Sequence, residues 1–65
     1  MKKRKYCLVG VDGNAYAVMA YVRDAMRREG YSKEDIENYT NDARSSDYDH
    51  LLCVSIAMVD KLNGE

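Results

Sequence analysis

The residues best suited to chemistry in this chain stand in two short runs. The first is Gly10-Val11-Asp12-Gly13-Asn14-Ala15. A strand that ends in a glycine-containing turn and opens a helix can hold an anion on the free N–H groups of the helix start. Asp12, Gly13 and Asn14 are the candidate ligand-binding residues of that turn. Its Gly-x-x-Gly spacing is neither a dinucleotide-binding fingerprint nor a P-loop, because the third glycine and the Lys-Ser/Thr pair are missing. Asp12 would also repel a phosphate. The simpler account of the same residues is a tight turn with Asp12 or Asn14 as helix N-cap.

The second run is Asp47-Tyr48-Asp49-His50, which holds the only histidine. Carboxylates beside an imidazole can exchange protons or begin a metal site. On a helix Asp47 lies near His50 at i, i+3, whereas Asp49 and His50 diverge. Two neighbouring ligands do not complete a metal site, so no metal is assigned. The simpler account is a helix start whose acids suit the positive end of the dipole. Asp49 and His50 join the Asp12–Asn14 turn as candidates for binding a small ligand or anion, or for weak hydrolysis. That requires the last helix to begin near the end of the strand. No catalytic residue and no cofactor is assigned.

Cys7 and Cys53 are far apart and lack metal-type spacing. The N-terminus is basic but has no apolar core behind it, so no secretory signal is read. Both thiols are therefore expected to be reduced, in a cytoplasmic setting. Cys7 follows a basic run, a setting that can make a thiol reactive. Buried structural thiols are the commoner outcome.

Three helices and one strand must position these groups. Lys5-Tyr-Cys-Leu-Val-Gly-Val11 is a short apolar run rich in β-formers, ended by Asp12-Gly13-Asn14, and it predicts a strand over 5–11. Tyr6, Leu8 and Gly10 share one face and Cys7, Val9 and Val11 the other. Both faces are largely apolar, so both are expected to be covered. Gly10 points to a bulge or a close backbone approach. Ala15, Val18, Met19, Val22, Ala25 and Met26 keep helical spacing and predict a helix over 14–29, closed by Gly30. Ser32 caps a second helix over 33–44, with Tyr31 and Ile36 placed as a hydrophobic staple. This helix turns Ile36, Tyr39, Thr40 and Ala43 inward and is the least apolar of the three. A third helix over 47–62 carries Tyr48, Leu51, Leu52, Ser55, Ile56, Val59 and Leu62 on its main face. Cys53, Val54, Ala57 and Met58 extend its apolar character, which predicts burial on more than one side. The fold class is α+β, mostly α, in one domain behind a flexible basic tail over 1–4.

At 65 residues the chain is short for a self-sufficient core. Disulfides and metal are not indicated, which leaves good packing or oligomerisation. Four of the ten basic residues are Lys2, Lys3, Arg4 and Lys5, and the rest of the chain sets six against eleven acidic residues. A body that acidic argues against nucleic acid as a partner, except through the tail. No apolar stretch reaches the length of a membrane span. Six tyrosines with no Phe or Trp suit half-buried rims and interfaces.

Three stretches together resemble a family of small uncharacterised bacterial and phage-associated proteins. They are Leu8-Val-Gly-Val-Asp-Gly-Asn-Ala-Tyr16, Gly30-Tyr-Ser-Lys-Glu-Asp-Ile36 and Ser46-Asp-Tyr-Asp-His-Leu-Leu52. The resemblance covers nearly the whole chain. It implies the same strand-plus-helices fold and no activity. Asp12, Asn14, Asp49 and His50 match its polar motif positions.

The leading expectation is a non-enzymatic interaction or regulatory module that works as a homodimer. A strand with no partner in its own chain would pair about a two-fold axis, and surplus apolar surface would be covered with it. Tyr6, Leu8, Val9, Val11, Tyr16, Ile56 and Val59 are the interface candidates.

Overall fold

Helix α1 forms over Ala15–Arg28 because its apolar spacing and both of its ends agree. Asn14 Oδ1 accepts from the N–H of Tyr16 at 2.8 Å and supplies the N-cap. At the other end Gly30 takes φ +84°. Its N–H donates to the carbonyl of Arg27 at 3.1 Å, and Tyr31 N–H donates to that of Met26 at 3.0 Å. These two bonds are a Schellman closure, which needs the left-handed conformation that glycine tolerates best. Val18, Met19, Val22, Ala25 and Met26 are its buried face.

Helix α2 covers Lys33–Ala43, with Ser32 Oγ accepting from Asp35 N–H at 3.1 Å. It buries Ile36, Tyr39 and Ala43, while Thr40 is half-buried and returns its hydroxyl to the carbonyl of Ile36 at 2.8 Å. Helix α3 covers Tyr48–Leu62, with Asp47 Oδ1 accepting from His50 N–H at 3.0 Å. Each helix touches the other two around one core. Within it Tyr39 and Ser55 join their hydroxyls at 2.7 Å. Ser55 is fully buried and satisfied only by such a partner.

The structure, a computed structural model, describes residues 5–8 and 10–64. The basic residues Lys2, Lys3 and Arg4 and the expected strand residue Val9 lie outside these. Among the described residues there is no strand, so the fold is all-helical and the α+β expectation is overturned. The reason lies in what meets the N-terminal backbone. Tyr6 N–H donates to Asn63 Oδ1 at 2.8 Å, and Asn63 Nδ2 donates back to the Tyr6 carbonyl at 2.8 Å. A carboxamide carries the same donor and acceptor as a peptide unit. One side chain just past the end of α3 therefore takes the place of a partner strand. Cys7 N–H donates to the Tyr21 hydroxyl at 3.0 Å. Val11 N–H closes a turn onto the Leu8 carbonyl at 3.1 Å, with Gly10 at φ +89°.

The alternation expected of a strand survives in part. Tyr6 is buried in the core and Leu8 packs against it, while Cys7 is exposed. On the other expected face Cys7 is open and Val11 half-buried, so that face is not fully covered. Gly10 has open space where a Cβ would stand, so the turn demands it and no close approach does. The pattern and the family resemblance pointed to a strand because β-propensity records fit to a half-buried surface rather than ladder pairing.

Helix α3 also departs from its expected burial. Leu51, Ser55, Val59 and Leu62 are buried, but Ile56 is 51% exposed and Tyr48 41%. Cys53 and Ala57 are exposed, and Val54 and Met58 are half-buried. The helix packs along one side, the side that α1 and α2 cover.

Candidate functional site

The Asp12–Asn14 turn is occupied with its own backbone. Asp12 Oδ1 accepts from Asn14 N–H at 3.0 Å, and Asn14 caps α1. The Tyr48 hydroxyl donates to the Gly13 carbonyl. This bond brings the start of α3 to the turn, as a shared site requires. The ring of His50 nevertheless points elsewhere. Its Nε2 stands 3.0 Å from the Asp42 carbonyl, 3.2 Å from Asp42 Oδ1 and 3.3 Å from Ser45 Oγ. The first two oxygens only accept, so Nε2 carries the proton. Asp47 uses its carboxylate on the His50 backbone rather than the ring. Asp49 is exposed in the first turn of α3. Asp12, Asn14, Asp49 and His50 are thus near one end of the molecule without converging on one point.

Asp42 and Ser45 are the imidazole partners that sequence reasoning missed. They lie eight and five residues before His50. The available signal was the short Ser45-Ser46-Asp47 connection, which must bring the end of α2 against the start of α3. Among the described residues no group of three or more His, Cys, Asp or Glu could hold a metal ion. No helix there is long and apolar enough to cross a membrane.

The imidazole forms one end of a shallow apolar depression of about 400 Å³. Cys53, Val54, Ala57 and Met58 form its floor and Lys61 its far end, with Asp42 beside His50. Cys53 is a free, exposed thiol, as is Cys7, so neither is the buried structural cysteine expected. Of the interface candidates, Tyr6 and Val59 are used in the chain's own core, and Leu8 packs against it. Val11 is half-buried. Tyr16, 75% exposed, and Ile56 remain open.

A charged cluster anchors the N-terminal segment. Glu29 Oε2 accepts from Tyr6 Oη and from Lys5 Nζ, each at 2.7 Å. The hydrogen bond from Lys5, then that from Tyr6, lowers the Glu29 pKa below its ordinary 4.5. The bond to Glu29 raises Tyr6 above 10.0 and Lys5 above 10.5. Burial raises Tyr39 above 10.0.

Comparison with family models, curated proteins and solved structures finds no match to this chain.

Proposed function

We propose that this chain is a small non-enzymatic interaction module that works as a homodimer through the open face of α3. One observation carries the reading: an apolar strip bounded by opposite charges at its two ends. His50, Val54, Ala57 and Lys61 all border the depression, and their spacing of four, three and four residues is that of a helix–helix seam. Such a strip is self-complementary when a second copy lies antiparallel, with the two-fold axis between Val54 and Ala57. Val54 then meets Ala57 of the partner subunit. Asp42 and His50 meet Lys61 of the partner subunit, twice over. A two-fold interface requires that reciprocity.

The exposed, free Cys7 and Cys53 support a reducing, cytoplasmic setting. The kinship drawn from the three motifs, to small bacterial and phage-associated proteins, belongs to the same proposal and adds no activity. A catalytic reading gains little from His50, whose Nε2 is engaged by the Asp42 carbonyl and carboxylate.

A seam on one helix is at the small end of interfaces, so association is expected to depend on concentration. Sedimentation equilibrium under reducing conditions, from micromolar to millimolar chain, tests the reading. The expected mass rises toward twice 7.4 kDa. A 7.4 kDa species throughout overturns it. Charge reversal adds specificity: Lys61→Glu should weaken association, and Asp42→Lys added to it should restore association.

A further inference from the structure

Among the described residues, Arg23 is the one place where a buried side-chain donor goes unmet. Its Nε is out of reach of water and has no hydrogen-bond partner. Hydration cannot relieve such a donor, and a buried unpaired polar group calls for an explanation. Arg23 also borders a cleft of about 320 Å³ between α1 and the start of α2. The walls are Arg23, Arg27, Tyr31, Lys33, Ile36 and Glu37.

Three cations face one carboxylate there, in a chain that is otherwise acidic. Arg27 is weakly held, since its Nη1 stands 3.9 Å from Asp24, whose other oxygen pairs with Arg28 at 3.1 Å. Lys33 is the first residue of α2 and is exposed at the cleft rim. Tyr31 and Ile36 supply an apolar wall.

We propose that this cleft binds a small phosphate-bearing anion, a compact phosphate monoester or inorganic phosphate. Arg23 is its main ligand, with Arg27 and Lys33 as flanking charges. A guanidinium offers Nε and Nη as a planar fork that fits two phosphate oxygens, and lysine adds a point charge. Rotation of the Arg23 side chain toward the cleft would give Nε the acceptor it lacks. The space exceeds that of a phosphate alone, and the Tyr31–Ile36 wall would hold a small organic group on the ester. This site lies apart from the open face of α3 and does not depend on dimerisation.

The test is an NMR titration of the whole chain with inorganic phosphate and with phenyl phosphate, against sodium chloride at equal ionic strength. The Arg Nε–Hε resonances and the amides around Lys33 are followed. Saturable shifts confined to Arg23, Arg27 and Lys33 are expected, with phenyl phosphate the tighter binder. Arg23→Lys keeps the charge but loses the fork, and should weaken binding about tenfold. Lys33→Gln is exposed and leaves the fold intact; it should weaken binding several-fold. Arg28→Lys, outside the cleft, should leave affinity unchanged. The proposal is overturned by shifts that do not saturate, by equal shifts at Arg28, or by full affinity in a folded Arg23→Lys or Lys33→Gln chain.

Discussion

Asn63 holds the N-terminal segment through two hydrogen bonds to Tyr6. Asn63→Ala should cost about 1–3 kcal/mol, because the Tyr6 backbone groups lose their partner where they are half-buried. Asn63→Asp keeps the acceptor and loses the donor, so its effect should be intermediate. Chemical denaturation measures both, and amide exchange at Tyr6 should quicken in step. The Tyr39–Ser55 pair offers a second test. Tyr39→Phe or Ser55→Ala alone strands a buried hydroxyl, at about 1–3 kcal/mol, whereas the double substitution should cost less than the sum of the two. Glu29 makes the same segment sensitive to pH. Its folded pKa is lowered, so its contribution is complete above 4.5 and is lost as pH falls through the lowered value. Tyr6, Lys5 and Tyr39 are raised, so theirs are complete below 10.0 and fade as pH rises through the raised values. Thermal melts should show a plateau between these limits, and Glu29→Gln should make the acid limb shallower.

At the scale of elements, each helix starts on a side-chain cap from Asn14, Ser32 or Asp47. Replacing one by alanine should cost about 1 kcal/mol. Gly30→Ala should cost a similar amount, about 1 kcal/mol, because φ +84° is strained for any residue with a Cβ even though the space is open. Helix α2 buries only Ile36, Tyr39 and Ala43. Its amides are expected to exchange first among the helices, since local stability follows buried apolar contact. A slower exchange in α2 than in α1 would contradict this account of the packing.

At the scale of the whole molecule, a chain of 65 residues has little stability in reserve. Self-association through α3 would add to it by mass action, so the melting temperature should rise with protein concentration. Ala57→Glu puts a charge on the exposed strip near the proposed axis and should abolish that rise without loss of helicity. The two proposed surfaces are separable. The strip on α3 is apolar with charged ends, and the α1–α2 cleft is cationic, so a substitution in one should leave the other unaffected.

The helices and their caps were legible because they are local. Val18 and Met19 repeat at Val22 and again at Ala25 and Met26, and Asn14, Ser32 and Asp47 bond amides two or three residues on. Short-range spacing alone dictates such features. The strand over 5–11 was misread because the same apolar alternation suits a strand and an extended segment lying on a helical core. Only the fold decides which, by bringing Asn63 across 57 residues to meet Tyr6. The short Ser45-Ser46-Asp47 connection brings the end of α2 to the start of α3, but which side chain meets His50, like the stranded Arg23 Nε, depends on how two helices lie against each other. So does the open face of α3. Its residues announce an apolar helix, but which side α1 and α2 cover is settled by packing over the whole chain.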